Sequence, residues 1–565
     1  MASPAPSHQE VLRTLIKSHE ALLRAGEIQP WVLPGSGLGV ILLVLYLIIP
    51  HGNSKLFRYA KYPAFAICTY LLFVTIRDTR AIGLAHGYGI GLIYSWFIIW
   101  GAVLVLVEDP QRDYKRIEFR EAYQNEQDKE INGILSSGAS TISDDGSSSS
   151  SELEIRRRNS VKEAQGNGHI HFSNGTAEMT PEHSRSPSPQ KGGHFVWQPF
   201  PKDSFAHRFE WVLDVFFNFQ GTGWNWLISS LPPPPPSVQH ELEEPYTPPP
   251  EPPRHRRKSR TGNIAHPTTR ALISSSIVTS VVCYLACDII FNYIVPADAY
   301  FYTGDPLAKA TWLPESINSN PILLRCYRLL MLDIIIYFFL TLVFNQPPLF
   351  FAGLLPLISS SARKATRSEP WMHPTAFGSF SMILDRGLAG YWGGWWHQSF
   401  RFSISAPSIH IIRKLGWSRR SVAAQSLQSI IAFSLTGFIH ACATYTDISP
   451  TTQPLNPFLF FIFQAFGMIF QQTIIRTTRT FAPSIYNKPT RSMKRFLNLI
   501  YTAGWLYLTA PFLADDFGKA ALWLFSPLPV SVVRWRKGEG FWCWGGKWVY
   551  WYTGQHWWQS GLAFW

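Results

Sequence analysis

The stretch "SIIAFSLTGFIHACATYTD", residues 429–447, contains a single histidine in an otherwise apolar or weakly polar run. It has no lysine, arginine or glutamate, and its aspartate is the last residue. A helix that spans a bilayer needs roughly 20 consecutive, mostly apolar residues. The stretch therefore predicts a membrane-spanning helix that carries the imidazole of His440.

Other segments of the chain share this length and composition. The apolar stretch 347–360 is too short to cross and begins at Pro347-Pro348, which favours a re-entrant or interfacial piece. We expect an all-α fold, a polytopic integral membrane helical bundle of about nine spanning helices with a long disordered cytosolic insert. The predicted spans are residues 31–50, 62–77, 86–107, 270–295, 326–345, 425–445, 457–475, 496–514 and 519–534.

The composition supports a membrane protein. Charged residues make up 15% of the chain, against about 25% in soluble domains. The net charge of +13 does not indicate nucleic-acid binding, because the basic residues cluster at the ends of apolar segments. With nine crossings, all the basic clusters fall on one side, which we predict to be cytosolic, and the amino terminus falls in the lumen. These clusters are residues 112–120, 254–270, 363–367, 413–420 and 476–495.

Composition also divides the chain into seven regions. The insert contains a serine tract and a basic run, which cannot bury enough apolar surface to offset chain entropy. It is interpreted as a tether, and phosphorylation or capture of its proline run by a partner stay open. The regions are 1–30, an interfacial amphipathic helix; 31–108, amino-terminal transmembrane helices; 109–204, the disordered cytosolic insert; 205–230, a docking element; 231–269, a proline-rich basic linker; 270–535, a membrane domain; and 536–565, a tryptophan-rich interfacial tail.

Strongly polar side chains inside a predicted span are costly, about 2.5–3.5 kcal/mol for a central charge, and therefore mark candidate sites. His440 shares a helical face with Thr436, Gly437 and Thr444, which predicts a small, polar and open neighbourhood. A histidine can accept a proton near neutral pH and return it. A histidine that only bonds a neighbouring helix is the equal alternative.

The next predicted span carries Gln464 and Gln471, seven residues apart with Gly467 between them. These amides either border a wet cavity beside His440 or form hydrogen bonds between helices. Asp288 and Asp333 are interpreted as structural partners of buried donors.

Outside the spans, the stretch "YWGGWWHQSFR", residues 391–401, combines five aromatic rings with His397, Gln398 and Arg401. Tryptophans at this position are typical of an aromatic belt at the membrane interface. The belt leaves the polar residues unexplained. Together with Arg386 they are donors suited to an anionic ligand that arrives from the cytosol.

Residues 391–398 resemble the Phe-Trp-x-x-x-Trp-His-Gln signature of wax synthase-like membrane-bound O-acyltransferases, particularly the fungal branch with acetyltransferases of secondary metabolism. His440 in "LTGFIHA" is similar to the histidine of the superfamily's second signature. The stretch "WVLDVFFNFQGTGWNW", residues 211–226, resembles an element that precedes the domain in fungal members. The resemblance covers roughly residues 205–535.

This resemblance implies acyl transfer from acyl-CoA, the co-substrate, to the hydroxyl of a small lipophilic acceptor such as a fatty alcohol, sterol or terpenoid. The acyl group is acetyl or fatty acyl, and no metal or other cofactor is expected. His440 would act as the general base and His397 would orient the thioester or the developing oxyanion. The expected substrate-binding residues are Gln398, Trp396, Trp392, Arg401, Gln464 and Gln471.

The expected location is the endoplasmic reticulum membrane, the bilayer is the expected partner, and a homodimer is left open. The alternative from another class is a transporter or scramblase with His440 and the two glutamines along a transport path. Prenyl transfer needs paired aspartate clusters for magnesium diphosphate, and Asp515-Asp516 stands alone.

Overall fold

A computed structural model describes residues 6–52, 54–121, 193–243, 255–449, 451–544 and 549–564. Most of the predicted disordered insert therefore lies outside the described residues. The chain forms two compact units, and the larger one, Met1–Glu118 with Trp197–Trp565, contains the membrane helices. In the smaller unit, Phe119–Val196, the rings of Phe119 and Phe195 lie edge to face, 5.3 Å apart.

The described residues are predominantly helical. The main helices are α1 His8–Ala25, α2 Leu38–Ile48, α3 Lys55–Asp78, α4 Gly83–Val107, α5 Phe205–Phe217, α6 Pro236–Glu243, α7 Thr269–Ala297, α8 Pro321–Ile358, α9 Arg401–Lys414, α10 Val422–Tyr445, α11 Leu455–Phe481, α12 Arg491–Thr509 and α13 Pro511–Lys519. Short helices lie at Pro110–Asp113, Tyr300–Thr303, Glu315–Asn318, Ser360–Lys364, Ser381–Arg386, Pro483–Asn487 and Val532–Arg536. The strands are β1 Trp31–Leu33, β2 Arg116–Glu121, β3 Gly193–Gln198, β4 Arg257–Lys258, β5 Ile264–Ala265, β6 Val549–Tyr552 and β7 Gly561–Phe564.

The predicted integral membrane bundle is confirmed, but its nine spans are not. Among the described residues, six helices are long and apolar enough to cross a membrane, or seven if α12 and α13, bent by 44°, form one span. The six are α3, α4, α7, α8, α10 and α11.

Two predicted spans are not among these helices, because one segment forms too short a helix and the other is buried inside the protein. In 31–50, β1 pairs with the carboxyl-terminal β7, and α2 has only 11 residues. In 519–534, Leu522, Trp523 and Leu528 are buried in the core between helices, and no spanning helix forms there.

The short piece predicted at 347–360 is also corrected. Helix α8 continues through Pro347-Pro348 to Ile358, and residues Leu349–Leu354 form a wider π-type turn. The two prolines have no backbone N–H to donate within the helix, and the wider turn follows them directly. The apolar stretch is therefore the end of a long membrane helix.

Both ends of the predicted insert are ordered, since β2 and β3 pair with each other in a two-stranded sheet. The predicted linker 231–269 also contains structure, namely α6 and the antiparallel pair β4 and β5. The side chains of Thr261 and Asn263 are buried there and hydrogen-bond to each other at 2.7 Å. Short polar side chains organise these segments in place of an apolar core.

The basic clusters still fall on one side of the bundle. Between 254–270 and 363–367 lie two crossings, α7 and α8, and between 413–420 and 476–495 lie α10 and α11. An even number of crossings returns the chain to the same side. The positive-inside rule therefore continues to predict that this side is cytosolic.

The amino-terminal helix α1 packs onto the loop between α7 and α8. Its capping box of Ser7 and Glu10 and its left-handed stop at Gly26 match the sequence prediction. Val11 and Leu15 pack against Tyr302 and its neighbours in the loop between α7 and α8. The apolar face of α1 therefore contacts protein at this loop.

Helix α5 packs into the amino-terminal core. Its residues Trp211, Val212 and Phe216 are buried in one cluster with side chains of α2, α3 and α4. The backbone carbonyl of Phe216 accepts a 3.0 Å hydrogen bond from Trp100 Nε1. The following turn has positive φ at Gly221, where a Cβ would strike Trp226, so glycine is required there.

A buried ion pair, not singled out from the sequence, ties α8 to the loop before it. Arg328 donates from Nε and Nη2 to the two carboxylate oxygens of Asp298, at 2.9 and 2.7 Å. Both side chains are almost fully enclosed, with 4% and 0% exposed. Asp288 likewise accepts hydrogen bonds from Asn292, Ser531 and the Val533 N–H, in agreement with the structural role predicted for it.

We predict that Arg328→Met destabilises the protein by about 3–5 kcal/mol, because it leaves the Asp298 carboxylate buried without its cation. Denaturant unfolding of the purified protein in detergent measures this. The matched control is Lys309→Met, since the Lys309–Glu315 pair is largely exposed and should contribute little. Equal destabilisation by the two variants would contradict the prediction.

Candidate active site

His440 lies in the second half of α10, with its ring fixed by two contacts. Its Nδ1 lies 2.6 Å from the hydroxyl of Tyr88, and its ring stacks on Phe461 of α11 with 4.4 Å between the centroids. The side chain is only partly buried. His440 is therefore held in one orientation while part of its surface stays accessible.

The neighbourhood of His440 is tighter than the sequence predicts. A Cβ on Gly437 would lie 2.9 Å from the Phe458 ring, so this glycine allows α11 to approach α10. Thr444 is buried, and the Thr436 hydroxyl donates to the carbonyl of Ala432 within its own helix. These residues serve helix packing, and aromatic rings form the immediate surroundings of the imidazole.

Tyr88 reaches His440 from a wide π-type turn, Gly83–Tyr88, at the start of α4. The turn is held against α10 by Thr446, whose hydroxyl accepts from the Gly91 N–H at 3.0 Å and donates to the Gly87 carbonyl at 2.8 Å. A Cβ on Gly91 would lie 2.1 Å from the Cys442 carbonyl oxygen. Close packing of the two backbones thus places the Tyr88 hydroxyl on His440.

Sequence reasoning missed Tyr88. The available signal is the glycine spacing of "GYGIG", residues 87–91, inside a predicted span. Small residues at such spacing mark close helix contacts in membranes. The pattern does not reveal which helix makes the contact.

Two carboxyl groups lie near the Tyr88 hydroxyl. Asp447 follows α10, and Asp516 belongs to α13; both are buried and act electrostatically on Tyr88. A Cβ on Gly87 would lie 3.0 Å from Asp447 Oδ2. Burial raises the pKa of the Asp447 carboxyl well above its usual value, because the buried carboxylate is poorly solvated.

The tryptophan-rich stretch forms a compact aromatic cluster around a wide turn, Tyr391–Trp395. The Tyr391 ring stacks on Trp396 at 5.7 Å, and its hydroxyl donates to Asp333 of α8 at 2.6 Å. Trp392 contacts Phe461, the ring on which His440 stacks. The two sequence signatures therefore meet through a shared aromatic ring.

His397 projects from this cluster into an aromatic pocket. The ring centroids of Phe344, Phe377, Trp396 and Phe400 lie 5.4–6.3 Å from its own. Its Nδ1 is enclosed and has no hydrogen-bond partner among the described residues. Burial lowers the pKa of His397 to about 4, so the ring is neutral at pH 7.

The structure uses Gln398 and Arg401 to brace this turn. The Gln398 amide donates to the carbonyls of Trp392 and Trp396 at 2.9 and 2.6 Å. Arg401 Nη1 donates to Gln398 Oε1 at 2.7 Å and to the Gly393 carbonyl at 3.0 Å. Arg386 is exposed nearby and its charge acts on Arg401.

The glutamines of α11 also hold the cluster. Gln464 accepts from Trp392 Nε1 at 3.3 Å and donates to Thr509 of α12 at 3.0 Å. Gln471 accepts from the Leu388 N–H at 3.1 Å and donates to Asn498 of α12 at 3.2 Å. Both amides are buried and form hydrogen bonds between elements, which favours that alternative over a wet cavity.

Comparison with known proteins identifies the region of this site. Residues 373–463 match the membrane bound O-acyl transferase family, and this segment contains both His397 and His440. The chain is 26% identical to acetyltransferase nanB of Aspergillus nanangensis over 28% of this chain and 34% of that protein. It is 23% identical to O-mevalon transferase yanI of Aspergillus niger over 54% of this chain and 60% of that protein.

A third relative, acetyltransferase ple2 of Rhodocybe pseudopiperita, is 25% identical over 43% of this chain and 50% of that protein. The chain thus aligns with about a third to three fifths of the length of these relatives. No solved structure matches. The resemblance drawn from the two sequence signatures is confirmed.

We predict that Gly91→Ala destabilises the protein, because its methyl group cannot fit against the Cys442 carbonyl and α4 must move away from α10. Thermal unfolding in detergent should show a lower midpoint. Gly504→Ala is the matched control, since a Cβ there meets no described atom within 4 Å and alanine favours a helix by about 0.8–1 kcal/mol. A midpoint unchanged by Gly91→Ala would contradict the close packing.

The protein should lose stability as the pH falls from about 6.5 to about 4. Burial lowers the pKa of both His373 and His397 from 6.5 to about 4, so the unfolded chain takes up these protons before the folded one. Above pH 6.5 the two groups add no pH dependence. Unfolding midpoints measured across this range test the prediction. The midpoint of His373→Gln should fall less steeply with decreasing pH than that of the wild type.

Proposed function

Because the segment that carries both histidines matches the membrane bound O-acyl transferase family, we propose that this chain is a membrane-bound O-acyltransferase. It moves an acyl group from acyl-CoA to the hydroxyl of a small lipophilic acceptor. The observation that carries the proposal is that Phe461 contacts both His440 and Trp392, and so joins His440 to the cluster that contains His397.

His440 is the general base. As the acceptor oxygen attacks the thioester carbonyl, its proton passes to the imidazole and then to the departing CoA thiolate, so no net proton is consumed. A base placed in this way contributes about 10² to 10⁴ in rate. The support is a partly accessible imidazole whose ring is fixed by Tyr88 and Phe461.

His397 orients the thioester or donates to the developing oxyanion. A neutral imidazole has one N–H donor, and no described residue satisfies His397 Nδ1. A donor with aromatic surroundings of low polarity stabilises developing negative charge more strongly than one in water. Trp392 and Trp396 form the wall beside it.

The donor enters from the cytosolic side, where the basic clusters lie. Exposed Arg386 is the more accessible guanidinium for CoA phosphates, because Arg401 is engaged by the turn. Gln398, Gln464 and Gln471 act by holding the aromatic cluster. Fully bonded glutamines do not suit a transport path, which weakens the transporter alternative.

Acetyl-CoA is the first donor to test, because two of the relatives are named acetyltransferases. Fatty acyl donors remain within the proposal. The proposed location is the endoplasmic reticulum, and the proposed acceptors are sterols, fatty alcohols and terpenoid secondary metabolites.

We predict that His440→Ala and His440→Gln lower acceptor-dependent CoA release by about 10² or more. Purified protein in lipid vesicles is given acetyl-, palmitoyl- or oleoyl-CoA with pooled lipophilic alcohols, and free thiol is measured. His410→Ala, which removes a helical histidine of α9 from outside the site, is the control and should keep wild-type release. Equal release by wild type and the His440 variants would exclude His440 as the base, and no release by folded wild type with any donor would refute acyl transfer.

A further inference from the structure

We propose that Tyr88 is a positioning residue for the reaction, which holds His440 in the tautomer that leaves Nε2 free to act as the base. This inference rests on the proposed function, because it assigns a partner to the proposed base. It adds α4, which lies outside the matched family segment, to the working parts of the site.

The contact is constrained from both sides. Tyr88 is 4% exposed, and its ring packs edge to face on Phe517 at 5.1 Å. His440 is held by its stack on Phe461. With both rings fixed, the 2.6 Å distance between Tyr88 Oη and His440 Nδ1 is set by the packing of α4 on α10.

The chemistry of imidazole decides what this contact does. A neutral imidazole carries its proton on one nitrogen and offers a lone pair on the other. Nδ1 is occupied by Tyr88, so a substrate hydroxyl can reach only Nε2. For Nε2 to accept a proton, Nδ1 must hold the ring proton and donate it to the Tyr88 oxygen.

Such an arrangement requires the hydroxyl hydrogen of Tyr88 to point away from His440. The carboxyls of Asp447 and Asp516 are the acceptors we assign to this hydrogen, since both are buried and act electrostatically on Tyr88. Each has an Oδ2 atom without a hydrogen-bond partner among the described residues. A protonated carboxyl still presents an acceptor oxygen, so these groups favour the orientation whether or not they are charged.

The proton transfer then balances without a charged intermediate on Tyr88. The acceptor hydroxyl gives its proton to Nε2, and the resulting imidazolium is stabilised by the Nδ1–H hydrogen bond to Tyr88 Oη. The proton leaves Nε2 for the CoA sulfur when the carbon–sulfur bond breaks. The tyrosine stays a neutral phenol throughout.

Tyr88→Phe removes the hydroxyl and keeps the ring that packs on Phe517. We expect kcat to fall about 10- to 100-fold, with the KM for acyl-CoA unchanged. Tyr94→Phe is the matched control, because it removes a buried hydroxyl from the same helix whose partner among the described residues is Trp31 Nε1, which donates to it. In the double variant with His440→Ala, loss of Tyr88 should lower activity no further, because Tyr88 acts through His440.

A second measurement does not depend on turnover. In protein labelled with ¹⁵N-histidine in lipid bilayers, the His440 signals are assigned by subtraction of the His440→Gln spectrum. The wild type should show Nδ1 protonated and Nε2 unprotonated, and Tyr88→Phe should shift the ring toward the other tautomer. A structural role alone would not change this ratio.

The outcomes separate the two proposals. Two results with an active wild type would overturn the role of Tyr88 and leave acyl transfer standing. The first is a Tyr88→Phe variant that keeps more than half of kcat. The second is a wild type in which His440 holds its proton on Nε2. A folded wild type that is inactive with every donor refutes the proposed function, and the tautomer spectra alone then show whether Tyr88 sets the state of His440.

Discussion

The close approach of α4 to α10 is the contact on which the rest of the site depends. It exists because Gly91 has no side chain and because Thr446 bonds the backbone of Gly87 and Gly91. In a bilayer, helices gain little from hydrophobic association, so small residues and interhelical hydrogen bonds determine how they pack. Here that packing also brings the Tyr88 hydroxyl to His440.

The second feature is that most polar side chains of the site form hydrogen bonds. Gln398, Gln464 and Gln471 all bond neighbouring backbone or side chains, and they fix the aromatic cluster that carries His397. Unpaired polar groups are costly away from water. Among the described residues of the site, the exceptions are His397 Nδ1 and the Oδ2 atoms of Asp447 and Asp516, which have no hydrogen-bond partner, while His440 keeps an accessible face.

Burial also determines the charge state of His397. His397 is neutral at pH 7 because its aromatic surroundings disfavour the imidazolium. A neutral imidazole suits a hydrogen-bond donor to a thioester carbonyl. Under the proposed function, neutral His397 and exposed Arg386 would contact different parts of an anionic, water-soluble donor.

The sequence by itself determined the membrane class, the positions of the long helices and the cap of α1, and it singled out His397 and His440. Hydropathy, capping and short signatures are local properties of the chain. It overcounted the spans, since apolar composition does not distinguish a lipid-facing helix from a segment such as 519–534 that is buried among other helices. Only the tertiary structure decided that Tyr88 bonds His440, that Arg328 bonds Asp298, and that the glutamines brace the cluster. Those contacts join residues far apart in the chain, and their distances depend on how whole helices pack.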